Sequence, residues 1–311
     1  MSNERIIFLG TPEISAELLE GLVKGGLNIV GVVTKEDKVR GRNNKVEESP
    51  VALKANELGI PVHKPHKLNK DFDFIKEKKP DLLLTFAYGQ LISDEILSLG
   101  TYKPLNLHAS LLPKYRGAAP IQYALKNGDK ETGVTLMEMI HELDAGDIYA
   151  VKKLEILPED NYTSLAERLT KVALELALDA LPKFFKKELT PVKQDPTQVS
   201  FAPSIKKEEE HLSLENDSVT FINQVRELSF TPGGYLLRPD GENLKIFEAK
   251  IADQEVSAPS GTIVKAKKKE ILLQLKDGQV ALTLLQRPGK KRMTASDFNN
   301  GVHDLEGSVL K

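Results

Sequence analysis

The first half of the chain alternates short, continuous apolar runs with amphipathic stretches. Ile6 to Leu9 is followed by Pro12 to Lys24, Ile29 to Val33 by Pro50 to Leu58, and Leu82 to Phe86 by Asp94 to Leu99. Continuous apolar runs predict strands buried on both faces, and their regular alternation with helical patterns predicts stacked βαβ units around a parallel sheet. Ser49-Pro50 has the form of a helix N-cap with proline in the first turn, and Gly59 stands where that helix should stop. Pro104 to His108 predicts a further strand, Glu131 to Met139 and Gly146 to Leu157 two more. From Asn161 onward, Leu165, Leu169, Val172, Leu176 and Leu181 recur near helical spacing and predict one long helix. The second half reads differently. A helix over Ser218 to Leu228 precedes short β-rich runs at Gly234 to Leu237, Lys245 to Ile251, Gly261 to Ala266, Ile271 to Leu275 and Val280 to Gln286. Many short strands punctuated by Gly, Pro and Asp predict a small barrel or sandwich.

Between the halves, Thr190 to Pro203 carries three prolines and no amphipathic period, which places a domain boundary there. The expected architecture is α/β, with a doubly wound, Rossmann-like, mostly parallel sheet domain over 1–189 and a linker over 190–206. A small OB-like β-barrel domain should follow over 207–311. A chain of 311 residues is long for one core and fits one large and one smaller domain.

Composition narrows the function classes. Cysteine is absent, so disulfides, thiolate metal sites and a cysteine nucleophile are excluded, and a cytoplasmic setting is expected. The opening apolar run is too short for a signal segment or a membrane span, so no membrane partner is expected. The formal charge of −2 is unlike that of a generic nucleic-acid binder, and any polyanion contact must be local. Two basic stretches qualify, Lys35 to Lys45 and Lys265 to Arg292, and a solvated loop is the competing reading of each. Gly10-Thr11-Pro12 follows the first strand without completing G-x-G-x-x-G or a P-loop, so neither dinucleotide nor NTP is expected. The six histidines form no compact ligand set, and no metal is expected.

The chemistry concentrates in Asn106-Leu-His-Ala-Ser-Leu-Leu-Pro-Lys-Tyr-Arg-Gly-Ala-Ala-Pro120 and in Leu143-Asp-Ala-Gly-Asp147. On a strand, residues i and i+2 project from the same face, so Asn106 and His108 point the same way, and Asp144 can join them from a later loop. An amide that donates to a developing oxyanion, an imidazole that moves protons near neutral pH and a carboxylate that orients it suit acyl transfer. Ser110 lacks the flanking glycines of a nucleophile elbow, so direct attack by the acceptor is expected instead. Asp144 before Ala-Gly also fits a simple Asx turn, and His108 alone fits a structural histidine; their company favours chemistry.

These residues resemble the folate-dependent formyltransferases, in the Asn-x-His pair, the Ser110-Leu-Leu-Pro113 turn and the Leu-Asp-x-Gly-Asp loop. Phe8-Leu-Gly-Thr-Pro-Glu13, Ser49-Pro-Val51, Ser200-Phe-Ala-Pro203 with Lys206-Lys-Glu208, and Leu285-Gln286 through Gly289-Lys-Lys-Arg-Met293 resemble the members that formylate initiator Met-tRNA. The resemblance runs nearly end to end. It implies 10-formyltetrahydrofolate as donor and the α-amine of methionine on initiator tRNA as acceptor. It implies catalytic roles for Asn106, His108 and Asp144, with folate against Ser110, Leu111, Leu112 and Pro113 and a pterin pocket formed by Tyr88, Gly89, Gln90, Leu91 and Ile92 with the 140–144 loop. It places tRNA contacts at Arg40, Arg42 and Lys45, at Lys206 and Lys207, and at Lys290, Lys291 and Arg292, and a monomer is expected. Two departures stand out: Ala109 replaces a common glycine, and the tryptophan often found after Lys-Lys-Glu is absent, with Leu212 or Leu214 in its neighbourhood. An amino sugar nucleotide as acceptor, and a catalytically silent RNA-binding protein, are the competing readings.

Overall fold

The structure, a computed structural model, describes residues 3–40, 45–302 and 304–311, and the side chains of residues 39, 40 and 45 are outside that description. In chain order the elements are β1 (Ile6–Gly10), α1 (Glu13–Lys24), β2 (Ile29–Val33), β3 (Lys38–Arg40), β4 (Lys45–Glu47), α2 (Pro50–Glu57), β5 (Val62–His63), α3 (Asp73–Lys78), β6 (Leu82–Phe86), α4 (Asp94–Leu97), β7 (Leu105–His108), α5 (Pro120–Lys126), β8 (Glu131–Glu138), β9 (Ile148–Glu155) and α6 (Tyr162–Phe185). They continue with α7 (Ser218–Leu228), β10 (Gly234–Leu237), β11 (Asn243–Asp253), β12 (Ile263–Lys267), β13 (Glu270–Leu275), β14 (Gly278–Gln286), β15 (Met293–Thr294) and α8 (Ala295–Gly301).

Two compact units emerge, the first built from 1–120, 131–155 and 166–203, the second from 121–130, 156–165 and 204–311. The first holds a seven-stranded sheet ordered β5-β2-β1-β6-β7-β8-β9. Its first five strands run parallel, whereas β8 runs antiparallel to both its neighbours, β7 and β9, so the sheet is mixed with a parallel majority. β1 and β6 are buried at every position, because both faces of a parallel sheet are covered. On one face Ile7 and Leu9 pack with Val33, Leu68, Ile75, Leu83 and Ile96; each such side chain removed from water stabilises the fold by about 1.5–3 kcal/mol. Ser49 caps α2 by accepting from the Ala52 N–H, as the Ser-Pro pair predicts.

The second unit contains a six-stranded antiparallel sheet, β10-β11-β14-β13-β12 with β15 on β14. Its core gathers Phe221, Val225 and Leu228 of α7, Phe298 of α8, and the inward residues of the strands, among them Leu236, Ile246, Leu273 and Leu282. Leu212, near the position of the missing tryptophan, is 1% exposed in this core. A small antiparallel barrel is the architecture expected for this half.

Part of the basic segment after β2 is regular structure and not an irregular loop. β3 and β4 form a two-stranded ladder, with Val39 opposite Val46 and Arg40 opposite Lys45. Arg42 lies outside the described residues.

Candidate active site

Thr85 and Asn106 lie side by side on the parallel neighbours β6 and β7, and His108 follows two residues on. Asp144 sits in the β8–β9 connection with φ +50°, a left-handed conformation that aspartate tolerates better than most residues. The expected three side chains meet there. Asn106 Nδ2 approaches Asp144 Oδ1 at 3.5 Å, His108 Nδ1 lies 3.7 Å from Asp144 Oδ2, and the Gly117 N–H donates to the same Oδ2 at 2.9 Å.

The partners fix the protonation geometry. His108 Nε2 lies 2.8 Å from the Tyr115 carbonyl. A carbonyl only accepts, so Nε2 carries the proton and the neutral ring presents the lone pair of Nδ1 beside Asp144. His108 is 5% exposed, and its Nδ1 faces the Asp144 carboxylate. The Thr85 hydroxyl donates to Asn106 Oδ1 at 2.7 Å, which sets the amide so that Nδ2 faces the site. One of the two Nδ2 hydrogens then points toward Asp144 and the second remains for a ligand.

A second layer holds the Asp144 loop. Gln194 Nε2 donates to the carbonyls of Asp144 and Gly146, each at 2.8 Å, while its Oε1 accepts from Arg116 Nε at 3.0 Å and Nη2 at 2.9 Å. The amide of Gln194 is thereby fully used. Arg116 also reaches Glu142 at 3.2 Å. Gly117, at φ +121°, has room only for hydrogen, since a Cβ there would meet the Ala202 carbonyl oxygen at 2.7 Å. Neither Thr85 nor Gln194 is prominent in the sequence. Thr85 had a signal, a lone polar residue inside Leu-Leu-Leu-Thr-Phe; Gln194 had none, because it lies in the aperiodic proline-rich stretch.

Ser110 is fully buried and its hydroxyl donates to the Lys114 carbonyl at 2.6 Å, an arrangement for holding the turn and not for attack. Leu112 N donates to Thr135 Oγ1, whose own hydroxyl donates to the Ser110 carbonyl. Leu111 and Pro113 remain partly exposed. In the 88–92 loop, Tyr88 is buried, and desolvation raises the pKa of its phenol. Gly89 and Leu91 are exposed, and the Gln90 side chain accepts from Leu68 N. The 139–144 stretch adjoins this region, since His141 Nδ1 lies 3.8 Å from Asp94 Oδ2, and it exposes Ile140 and Leu143. Among the described residues, the backbone N–H groups of Gly89, Gln90, Leu91 and Ile92 have no acceptor. Unpaired backbone donors with exposed apolar side chains in the same region fit a planar, acceptor-rich heterocycle such as a pterin.

The lysines and the arginine of the second unit that the resemblance assigns to tRNA are exposed. Lys206 and Lys207 precede and enter a short 3₁₀ turn, and Lys290 and Lys291 lie in the β14–β15 connection. Arg292 is held in place: its guanidinium carbon lies 4.7 Å from the centroid of Phe230 and 4.5 Å from that of Phe247, and Nη2 donates to the Phe230 carbonyl. Among the described residues no three His, Asp or Glu side chains converge as a metal site would require, and no helix is long and apolar enough to cross a membrane.

A doubly wound sheet carrying an amide, an imidazole and a carboxylate beyond its strand ends defines an acyl-transfer class, and the chain belongs to the formyl transferase family. Residues 4–181 match the formyl transferase profile and residues 204–303 the formyl transferase C-terminal domain. The methionyl-tRNA formyltransferase of Lactobacillus acidophilus is 41% identical over 299 residues, 95% of each chain, and that of Dictyoglomus thermophilum 42% identical over 305 residues, 96% of each. Solved structures share the fold. An N-formyltransferase from Helicobacter canadensis, in complex with folinic acid and dTDP-3-aminofucose, gives a TM-score of 0.66 at 18% identity over 91% of this chain and 98% of that one. HypX from Aquifex aeolicus, in complex with tetrahydrofolic acid, gives 0.66 at 20% identity over 98% of this chain, which spans about half of HypX (49%).

Proposed function

We propose that this protein transfers the formyl group of 10-formyltetrahydrofolate to the α-amine of methionine on initiator tRNA. The observation that carries the chemistry is the convergence of Asn106, His108 and Gly117 N–H on one carboxylate. The acceptor reading is supported by two relatives of that name, each alike over nearly the whole chain. The donor supplies an activated formyl carbon, and the backbone of 88–92 with Leu111 to Pro113 and the 140–144 stretch would hold it.

The residues divide the work by what their atoms can do. The free Nδ2 hydrogen of Asn106 donates to the formyl oxygen as negative charge develops there. Only a neutral amine attacks, so a proton must leave the acceptor nitrogen, and Nδ1 of His108 is the basic atom beside Asp144 that can receive it. Asp144 then faces an imidazolium at ion-pair distance and stabilises it without taking the proton, which His108 can return to the folate nitrogen as the bond between that nitrogen and the formyl carbon breaks and tetrahydrofolate leaves. Thr85 and Gln194 position Asn106 and the Asp144 loop respectively. Arg40, Arg42, Lys45, Lys206, Lys207, Lys290, Lys291 and Arg292 would meet tRNA phosphates, contacts that give affinity and salt dependence but little sequence information. We read residues 1–189, with 190–203 folded onto them, as the catalytic domain and 207–311 as the tRNA-binding domain, and the protein as a cytoplasmic monomer.

Formyl transfer from 10-formyltetrahydrofolate to purified initiator Met-tRNA, run beside elongator Met-tRNA and an amino sugar nucleotide, tests this reading. Selective formylation of the initiator is the expected result; turnover of the sugar alone would replace the acceptor.

A further inference from the structure

The β3–β4 ribbon forms a sheet of its own, laddered through Lys38 with Glu47, Val39 with Val46 and Arg40 with Lys45. A two-stranded ladder by itself is marginally stable in water, so the ribbon depends on what ties down its base. There Lys64, the residue after β5, sets one ammonium between two carboxylates: Nζ lies 2.7 Å from Asp37 Oδ2 and 2.8 Å from Glu48 Oε1. Asp37 precedes β3 and Glu48 follows β4, so the two acids flank the first pair of the ladder, one on each strand. Nearer the seven-stranded sheet, the hydroxyls of Thr34 and Ser49 lie 2.7 Å apart, and Thr34 N donates to the His63 carbonyl. The chain entering the ribbon, the chain leaving it and the end of β5 are thus tied together. Hydrogen bonds to Asp37 and Glu48 raise the pKa of Lys64, which keeps the ammonium charged.

From this we infer that Lys64 is a positioning residue for the acceptor, holding the ribbon in the pose from which its cations meet tRNA phosphates. The inference rests on the acceptor reading above and deepens it with a residue that acts through the ribbon. It also gives a role to the acids that dilute the basic stretch. Of the four between Lys35 and Glu48, namely Glu36, Asp37, Glu47 and Glu48, three are engaged by side chains from outside the stretch, since Glu36 lies 2.7 Å from His66 Nδ1. Asp37 and Glu48 serve RNA binding as anchors for Lys64, although their charge alone opposes it. A ribbon free to swing binds only from the fraction of molecules in the competent pose, and its apparent affinity falls by that fraction.

Asp37→Ala/Glu48→Ala separates this inference from simple charge. The double variant removes two negative charges beside a segment proposed to bind a polyanion, so electrostatics alone would lower the Met-tRNA KM. Loss of the anchor should raise it, by about tenfold if the competent pose falls to about one tenth of the population, with kcat at saturating substrates unchanged. Lys64→Met should raise the KM in the same way, and Lys64→Arg, whose planar fork can bridge both carboxylates, should keep it near the native value. A double variant whose tRNA KM falls or stays the same overturns the inference. So does a loss of melting temperature and kcat with the tRNA KM unmoved, which would make Lys64 structural only. If the native protein formylates no tRNA, the acceptor reading fails separately, and hydrogen exchange at the β3 and β4 amides decides the anchor: protection lost in Lys64→Met supports it, and protection equal to that of the native protein ends the proposal.

Discussion

Asn106 places a single hydrogen at the site, and its removal tests the proposed chemistry most directly. Asn106→Ala should lower kcat by about 10²–10³-fold, the usual effect of deleting one oxyanion donor, with the donor KM little changed; steady-state kinetics that leave kcat within a few-fold would remove Asn106 from the mechanism. Thr85→Val probes the layer behind it. Valine keeps the shape of the strand but cannot donate to Asn106 Oδ1, so the amide loses the bond that orients it. A fall in kcat of about tenfold with both KM values held is expected from misorientation alone; a matching fall in stability with unchanged kcat would make Thr85 merely structural. That Asn106 and His108 share a face was legible because strand alternation is local, and the structure brings Asp144 beside them. It did not reveal which His108 nitrogen carries the proton. That depends on the Tyr115 carbonyl, a backbone atom seven residues away whose position no side-chain pattern encodes.

Elements with strong periodicity were legible, and those held by tertiary contacts were not. α7 and β10 match their predicted ranges, since each has a clear apolar face. β3 and β4 were missed because each is three residues long with one apolar side chain, too little to form a face. α8 was missed for a related reason: among its seven residues only Ala295, Phe298 and Asn299 are buried. Within α7, Glu227 is an element-level anomaly. It is 1% exposed, neither carboxyl oxygen has a hydrogen-bond partner, and Lys126 of α5 lies 3.9 Å away while bridging Glu209 at 3.0 Å. Burial is the main cause that pushes its carboxyl from 4.5 up to about 7, with Lys126 opposing and Glu209 adding to the shift. The folded protein thus keeps a proton that the unfolded chain has released, so stability falls as pH rises from about 4.5 through about 7 and is flat beyond. Glu227→Gln should abolish this component, and the stability difference between variant and native protein should grow by about 3 kcal/mol across that window. Urea unfolding at pH 5 and pH 8 reads it; an identical pH slope in both proteins would show that Glu227 stays ionised throughout.

Across the whole molecule, a formal charge of −2 coexists with short stretches in which exposed lysines and arginines cluster, so affinity for RNA should be local in origin and steep in salt. Lys290→Ala should weaken Met-tRNA binding at low salt and reduce the slope of log K against log salt by about one; filter binding from low to moderate ionic strength measures it, and an unchanged slope would place Lys290 off the RNA path. The two-part organisation was legible because apolar periodicity changes character along the chain. The role of the proline-rich stretch was not, because hydrogen bonding without periodicity leaves no trace in a sequence. Val192 exchanges both backbone hydrogen bonds with Ile148, Gln194 holds the Asp144 loop, Ser200 accepts from Tyr115 and Arg116, and Ala202 bonds both Arg116 and Ala119. For anyone engineering the protein, this reverses the usual choice of insertion point. An affinity tag or protease site between Gln194 and Ala202, the place that composition recommends, should yield a folded but inactive enzyme, whereas the same insertion at the exposed turn around Gly241 should be tolerated.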